Sequence, residues 1–551
     1  MTALIALLPL VVIILLLVAF NWPAKRVMPI AWAFCLLLAV FVWKMTWRNA
    51  LAYSLYGAFK GFETLVTIMG AVLLLNTLSC SGAMRVISRA LTTVSNDRRI
   101  QAVIIGWMFN SFIEGAAGFG TPAALAAPLL VGVGFPPLAA AMFALICNTT
   151  AVAFGVVGVP TLTGLSQVQG QVIAAGFSEA AFNTATIRVI AILHGCSGLF
   201  VPLIALCMLT KFFGKERSIR PALAATPFAL FAGAAFVVPS VILAFLFGAE
   251  FPSLVGALIG LVLTVTAAMK GFLVPKTKWD FPEASEWAPD WKAVSAPPEE
   301  ENSSKISPVM AWLPYGLITL ILVASRIPAF GLTDTMKNVT LTFNHLLGVE
   351  GLNYSLQYLW LPGTVFIIVS FVTVFLHRMK WSAVKKTVVS TGKQVYGAVI
   401  AMLFGVALVQ LMLNSGVNDA GLTSMMNMIA SGTANLFKGC YLAVAPLIGV
   451  LGSFVSGSNT VSNMLFASMQ FETALLLKLS PVLIVALQCV GGGIGNMICI
   501  NNIVAACSTV GVRNMEGKLV RRNLIPCLLY CTAVILLAVL FTALGLSLLN
   551  I

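Results

Sequence analysis

Apolar runs of near-uniform length alternate along the chain with short polar stretches. Runs at 3–20, 28–47, 62–80, 189–210, 223–248, 252–269, 309–325, 358–376, 395–413 and 523–548 are close to the length a helix needs to cross a bilayer. Two further regions, 102–159 and about 440–503, are as apolar but are interrupted by Gly, Ser, Thr, Asn and Pro. Glu114, Glu472 and Lys478 are the only charged residues in them. The first run is read as a retained span: Met1-Thr2-Ala3 has no basic residue, and Lys25-Arg26 follow the run. The pattern predicts an all-α polytopic membrane protein.

Composition supports that class. Of 551 residues, 60% are hydrophobic and 9% charged, against roughly 25% charged in an average soluble protein. A soluble enzyme of this length would lack the polar surface it needs. The net charge of +14 invites a nucleic-acid reading, but the position of the charges argues for orientation in a membrane instead.

Basic clusters lie at Arg85, Arg89, Arg98 and Arg99; at Lys211, Lys215, Arg217 and Arg220; at Arg378, Lys380, Lys385, Lys386 and Lys393; and at Arg513, Lys518, Arg521 and Arg522. The stretches 160–187 and 414–437 carry no Lys or Arg. The positive-inside rule places the clusters in the cytoplasm and the bare stretches outside. A single topology fits, with both termini outside and an odd number of crossings in each interrupted region. It leaves the 44–61 loop, with Lys44, Arg48 and Lys60, outside as a mild violation. Residues 275–308, with Glu299-Glu300-Glu301, are expected to form a flexible loop.

The interrupted regions align at an offset of 342 residues. Ser111-Phe112 falls on Ser453-Phe454, Gly115 on Gly457, Ala144-Leu145 on Ala486-Leu487 and Cys147 on Cys489. Tyr56-Gly57-Ala58 matches Tyr396-Gly397-Ala398 at nearly the same offset. The first interrupted region is preceded by a basic loop and followed by a bare one, and the second has the reverse. The copies are therefore expected to be inverted, a mark of many secondary transporters. The resulting units are 1–35, an N-terminal span; 36–187, the first repeat; 188–274, connecting spans; 275–308, the acidic loop; 309–357, a connecting span and loop; 358–522, the second repeat; and 523–551, the C-terminal span.

In each copy the first break is Gly- and Ser- or Thr-rich: Ser111 to Pro122 in one, Gly452 to Asn463 in the other. Each lies between apolar runs of about half a span, which suggests a re-entrant hairpin. A second break follows at Cys147-Asn148-Thr149-Thr150 and at Gly491 through Asn496, which suggests a broken spanning helix. Irregular backbone at membrane depth must be covered by protein or line a watery cavity. Freed N–H groups at a half-helix start can hold an anion, and freed carbonyls and hydroxyls a cation. A small carboxylate moved with H⁺ or Na⁺ suits both. Glu114 is the only acidic group between Ile100 and Ser178. It should be protonated, paired or facing water, and it is a candidate proton carrier. The competing reading is a structural cap on hairpin N–H groups. His194 and the scattered cysteines are read as packed core residues. No metal, cofactor or catalytic motif stands out.

At these residues the chain resembles the bacterial lactate permease family, which includes glycolate permeases. The resemblance is carried by Glu114 through Pro122, Leu129 through Phe135, Gly457 through Asn463 with Leu465-Phe466-Ala467, and Gly491-Gly492 through Ile498. Ala506-Cys507 and Val510-Gly511 extend it. Ser458-Asn459-Thr460 is also similar to the hairpin tip of sodium-coupled dicarboxylate transporters, which move like elevators. Several lactate permeases have Asp at Asn459, Lys at Asn496 and Pro-Gln-Ser at Ile500-Asn501-Asn502. An Asn459–Asn496 hydrogen bond is expected to replace that ion pair.

The resemblance implies an elevator-like, proton-coupled importer of short 2-hydroxy monocarboxylates (L-lactate, then D-lactate or glycolate) in the cell inner membrane. It implies no enzyme activity, cofactor or nucleic-acid partner. A sodium-coupled carrier of another small carboxylate is the alternative, and a homodimer is left open. The expected binding residues are Gly115, Gly118, Gly120 and Thr121 from the first hairpin; Ser456, Ser458, Asn459, Thr460, Ser462 and Asn463 from the second; and Asn148, Thr149 and Asn496 from the broken helices. Glu114 is expected to couple the ion.

Overall fold

The computed structural model describes residues 2–20, 22–118, 121–293, 306–326, 331–512 and 514–546. Gly120, Arg513 and Glu299-Glu300-Glu301 lie outside them. Among the described residues, eight helices are long and apolar enough to cross a membrane, or nine if the bent pair Pro137–Cys147 and Val152–Ala174 is one span. Leu254–Met269 and Pro362–Leu376, at two of the expected spans, are shorter apolar helices.

The longest helices are Trp47–Ser81 and Trp381–Asn414, of 35 and 34 residues. They pack together along their length. Gly57 lies against Ala407, Gly61 against Met402, and Asn76 Nδ2 donates to Thr391 Oγ1 at 3.0 Å. Rising numbers on one helix meet falling numbers on the other, so the pair is antiparallel. The approach is close: a Cβ on Gly57 would lie 2.6 Å from Ala407 Cα. Ala24–Phe41 packs on the same pair. The expected 44–61 loop is in fact mostly helix, since Thr46 caps a helix that begins at Trp47. Lys60 therefore sits well inside a helix.

Residues 414–437 also hold more structure than a bare loop. Ser424 caps the helix Met425–Phe437, which packs on Thr2–Ile14 and on the second hairpin. A small antiparallel strand pair, Leu341–Phe343 with Tyr354–Leu356, covers the start of the Trp47–Ser81 helix. There Tyr354 OH donates to Glu63 Oε1 at 2.7 Å and stacks on Phe59.

The expectation of a flexible loop over 275–308 fails for its described part. Arg98 Nε pairs with Asp280 at 3.0 Å, and Lys518 bonds Asp290. Trp291 is buried against Phe213, with Arg217 stacked on its ring. Arg99, 1% exposed, pairs with Asp97 at 2.6 Å and donates to the Pro221 and Thr277 carbonyls. Aromatic burial and ion pairing outweigh the polar composition that suggested flexibility. Residues from three of the expected cytoplasmic basic clusters thus meet on one segment.

Candidate functional site

The first arm of hairpin one comprises Arg98–Gln101, the π-helical stretch Ala102–Phe109, and Asn110–Ala116. The chain breaks at Ala117-Gly118 and resumes as Thr121–Gly132, which packs back on the first arm. Gly118 has φ +52, and a side chain there would collide with Val156. Hairpin two is Tyr441–Ser456, a left-handed Gly457 (φ +83), an extended Ser458, and Asn459–Leu476. Its arms have 16 and 18 residues, about 24 and 27 Å at 1.5 Å per residue. They are longer than the half-spans expected from sequence.

Both second breaks are present. Pro137–Cys147 ends before Asn148, and the chain bends by 66° into the next helical pair. The helix Gly155–Ala174 opens with Val156 (φ 44), Val157 (φ 54) and Gly158 (φ 82) in left-handed conformations. Branched residues rarely adopt that region. Pro481–Gly495 ends before Asn496, and a helix resumes at Ile500–Thr509.

The two hairpin tips and both broken segments enclose one cavity of about 20 Å³, room for a water or two. The first half of the chain contributes Glu114, Val152, Val156 and Pro160 to its wall. The second contributes Gly457, Ser458, Asn459, Thr460 and Asn496. Glu114 Oε2 accepts a bond from Asn148 Nδ2 at 2.9 Å, so hairpin one is tied to its own broken segment. Asn459 is 2% exposed, and neither its Oδ1 nor its Nδ2 has a partner. A side chain at Gly492 would displace the Asn459 amide. Leaving a buried amide unpaired is costly. Asn459 also opens the 18-residue arm, whose first N–H groups have no acceptor within the helix. Among the described residues, no Lys or Arg lines this cavity.

The other expected residues lie nearby in different roles. Thr121 Oγ1 donates to the Gly118 carbonyl at 2.5 Å, and Ser456 Oγ to the Ser458 carbonyl at 3.1 Å, so each closes its own tip. Ser462 accepts from Gln488 of the helix Pro481–Gly495, and Asn463 Nδ2 donates to the Pro160 carbonyl at 3.0 Å, joining hairpin two to the Gly155–Ala174 helix. Thr149 bonds the Ile146 carbonyl, and Gly115 packs on Leu254. The expected Asn459–Asn496 bond is absent: Asn496 Oδ1 accepts instead from Asn502 Nδ2 at 2.5 Å. Asn502 is nearer along the chain and takes the Asn496 side-chain oxygen. Glu472 lies within the second arm of hairpin two and accepts from Gln171 Nε2, whereas Lys478 is in the link that follows and is exposed.

Sequence reading missed Val152, Val156 and Pro160, because an apolar wall residue carries no polar signal. It also missed Asn502 and Gln488. Asn502 had a signal, as part of the departing Ile500-Asn501-Asn502 triplet. His194 stands outside the cavity, with Nδ1 2.7 Å from Tyr530 OH. Among the described residues, no cluster of His, Cys, Asp or Glu could hold a metal.

The L-lactate permease family model matches residues 2–545. The chain belongs to the L-lactate permease family. A putative L-lactate permease of Haemophilus influenzae is 32% identical over 548 residues, with 95% of each chain covered. The L-lactate permease of Bacillus subtilis is 30% identical, over 88% of this chain and 86% of that one. A glycolate permease of Escherichia coli is 27% identical, over 97% and 94%. As a member of this permease family the chain is a multi-pass transport protein of the inner membrane and not an enzyme. Family membership implies a small carboxylate as its cargo.

Proposed function

We propose that this permease imports short 2-hydroxy monocarboxylates, L-lactate first and D-lactate or glycolate after it, together with protons. The observation that carries this reading is the Asn459 amide, buried and unpartnered, on the wall of the cavity that holds Glu114. The amide can donate to a carboxylate and accept from a 2-hydroxyl. The N–H groups at the start of the Asn459–Leu476 helix favour an anion at the same place.

Charge supplies the coupling. A carboxylate substrate and an ionised Glu114 repel each other in a cavity whose described wall has no cation. The anion therefore binds together with a proton on Glu114, and Asn148 holds that carboxyl group in place. Both leave when the cavity opens to the cytoplasm. At about 20 Å³ the cavity is too small for a three-carbon acid, so the hairpin tips must part to admit one.

The movement we infer is elevator-like, with re-entrant hairpins in inverted repeats. The antiparallel Trp47–Ser81 and Trp381–Asn414 helices form the frame, and the hairpins with their broken segments move against it. The reversed charge pattern of the two copies and the antiparallel run of the matching long helices support this. Uptake by proteoliposomes tests the function with a panel of labelled 2-hydroxy acids under imposed pH or Na⁺ gradients. L-Lactate should accumulate under an inward proton gradient without Na⁺. Accumulation driven by Na⁺ alone, or by no 2-hydroxy acid, would sink the reading.

A further inference from the structure

A second and much larger cavity, of about 690 Å³, lies between the frame helices and the helices Gly155–Ala174 and Asn459–Leu476. That is within the range of small-molecule sites, about 300–1,000 Å³. Its wall includes Lys60, Gln169, Gln171, Gln410, Asn414 and Glu472. Asn414 is the last residue of a frame helix that leads into the bare 414–437 stretch. The cavity therefore faces the side that the positive-inside rule makes external.

Lys60 is the cation of this wall. Its Nζ donates to two neutral oxygens, the Ser166 carbonyl at 3.3 Å and Gln169 Oε1 at 3.4 Å, both long. Its ammonium also lies 5.0 Å from the centroid of the Tyr56 ring. Among the described residues it forms no ion pair. Glu63 and Glu179 act on Lys60 through space, but the hydrogen bonds of the acids in this region go to other groups. Glu63 accepts from Tyr354 OH at 2.7 Å, Glu179 from Gln169 Nε2 at 2.9 Å, and Glu472 from Gln171 Nε2 at 2.7 Å. An ammonium with only neutral acceptors, in a roomy polar cavity, is placed to attract an anion.

The cavity also lies on a route. Ser166 borders it and Pro160 borders the tip cavity, both on the Gly155–Ala174 helix. Six residues of helix separate them, about 9 Å. Glu472 and Thr460 mark the same two ends on Asn459–Leu476.

We propose that this cavity is an outer binding station in which Lys60 receives the carboxylate of the incoming 2-hydroxy acid. The station rests on the importer reading above. The amides beside Lys60 bond the substrate hydroxyl. Glu472 on the same wall repels a second carboxylate, so the station favours monocarboxylates over dicarboxylates.

The test compares initial uptake rates of labelled L-lactate by proteoliposomes of the unmodified protein and of Lys60→Gln, Lys60→Arg and Ser166→Asp. Thermal unfolding in detergent is measured alongside. Lys60→Gln should raise KM about tenfold with kcat kept within about twofold, the loss of one charge-assisted bond. Lys60→Arg should stay near the unmodified KM. Ser166→Asp, which leaves Lys60 in place but gives it an internal anion, should raise KM as Lys60→Gln does. It decides the matter if Lys60→Gln unfolds. An unchanged KM in Lys60→Gln or Ser166→Asp, or a fall confined to kcat, overturns the station while leaving the importer reading intact. An unmodified protein that takes up no 2-hydroxy acid overturns both.

Discussion

Asn148 Nδ2 lies 2.9 Å from Glu114 Oε2, and this bond ties the tip of the first hairpin to the first broken segment. It explains how a carboxyl group is tolerated in a region that is otherwise apolar. It also leaves Asn148 Oδ1 unpartnered. Replacing Asn148 by Leu removes the bond and keeps the bulk. A buried acceptor loses its donor, which costs about 1–3 kcal/mol. We expect a melting temperature several degrees lower in detergent, and lower uptake than in Asn148→Asp, whose protonated form can still donate.

The reverse is expected at Asn459. Its amide makes no bond in the closed cavity, so Asn459→Ala removes an unpaired buried group. The melting temperature should hold or rise. Uptake should fall at least tenfold if the amide serves the substrate, by the usual worth of a substrate hydrogen bond. A variant with unimpaired uptake removes Asn459 from the site.

Val156 sits on the cavity wall with φ 44. A branched residue held there stores about 1–3 kcal/mol. Val156→Gly should release that strain and raise the melting temperature. It should also slow uptake, because it removes the side chain that packs over Gly118. Parallel unfolding and uptake curves check the opposite signs.

The frame pair depends on close backbone approach. Gly57→Val brings a side chain against Ala407, where a Cβ alone would lie 2.6 Å from Cα. We expect a loss of about 1–3 kcal/mol from overpacking, read as a lower unfolding temperature. At the basic face, Arg99→Ala leaves Asp97 buried without its cation. Breaking a buried pair costs about 3–5 kcal/mol, so yield of folded protein should drop sharply, whereas exposed Lys385→Ala should leave it unchanged.

Much of this architecture can be read from the chain. Hydropathy places the spans, and Gly, Ser and Pro place the breaks, because a helix cannot run through them at low cost. Glu114 and Asn459 stand out as polar groups in apolar surroundings. The sequence cannot say which amide meets which. The partner of Asn496 is the nearby Asn502 and not Asn459, a choice made by packing. Helix ends lie beyond the apolar runs where amphipathic turns extend them, as at Lys60 in the helix Trp47–Ser81. The 275–293 segment reads as loop by composition, yet its tryptophans and acids bind the basic clusters.

The central claim is that substrate and coupling proton share the Glu114–Asn459 cavity. The most direct measurement compares Glu114→Gln with the unmodified protein in proteoliposomes, reading L-lactate exchange and pH-driven accumulation separately. The variant should still exchange labelled for unlabelled L-lactate and no longer concentrate it under an inward proton gradient. Full accumulation by Glu114→Gln would contradict the central claim.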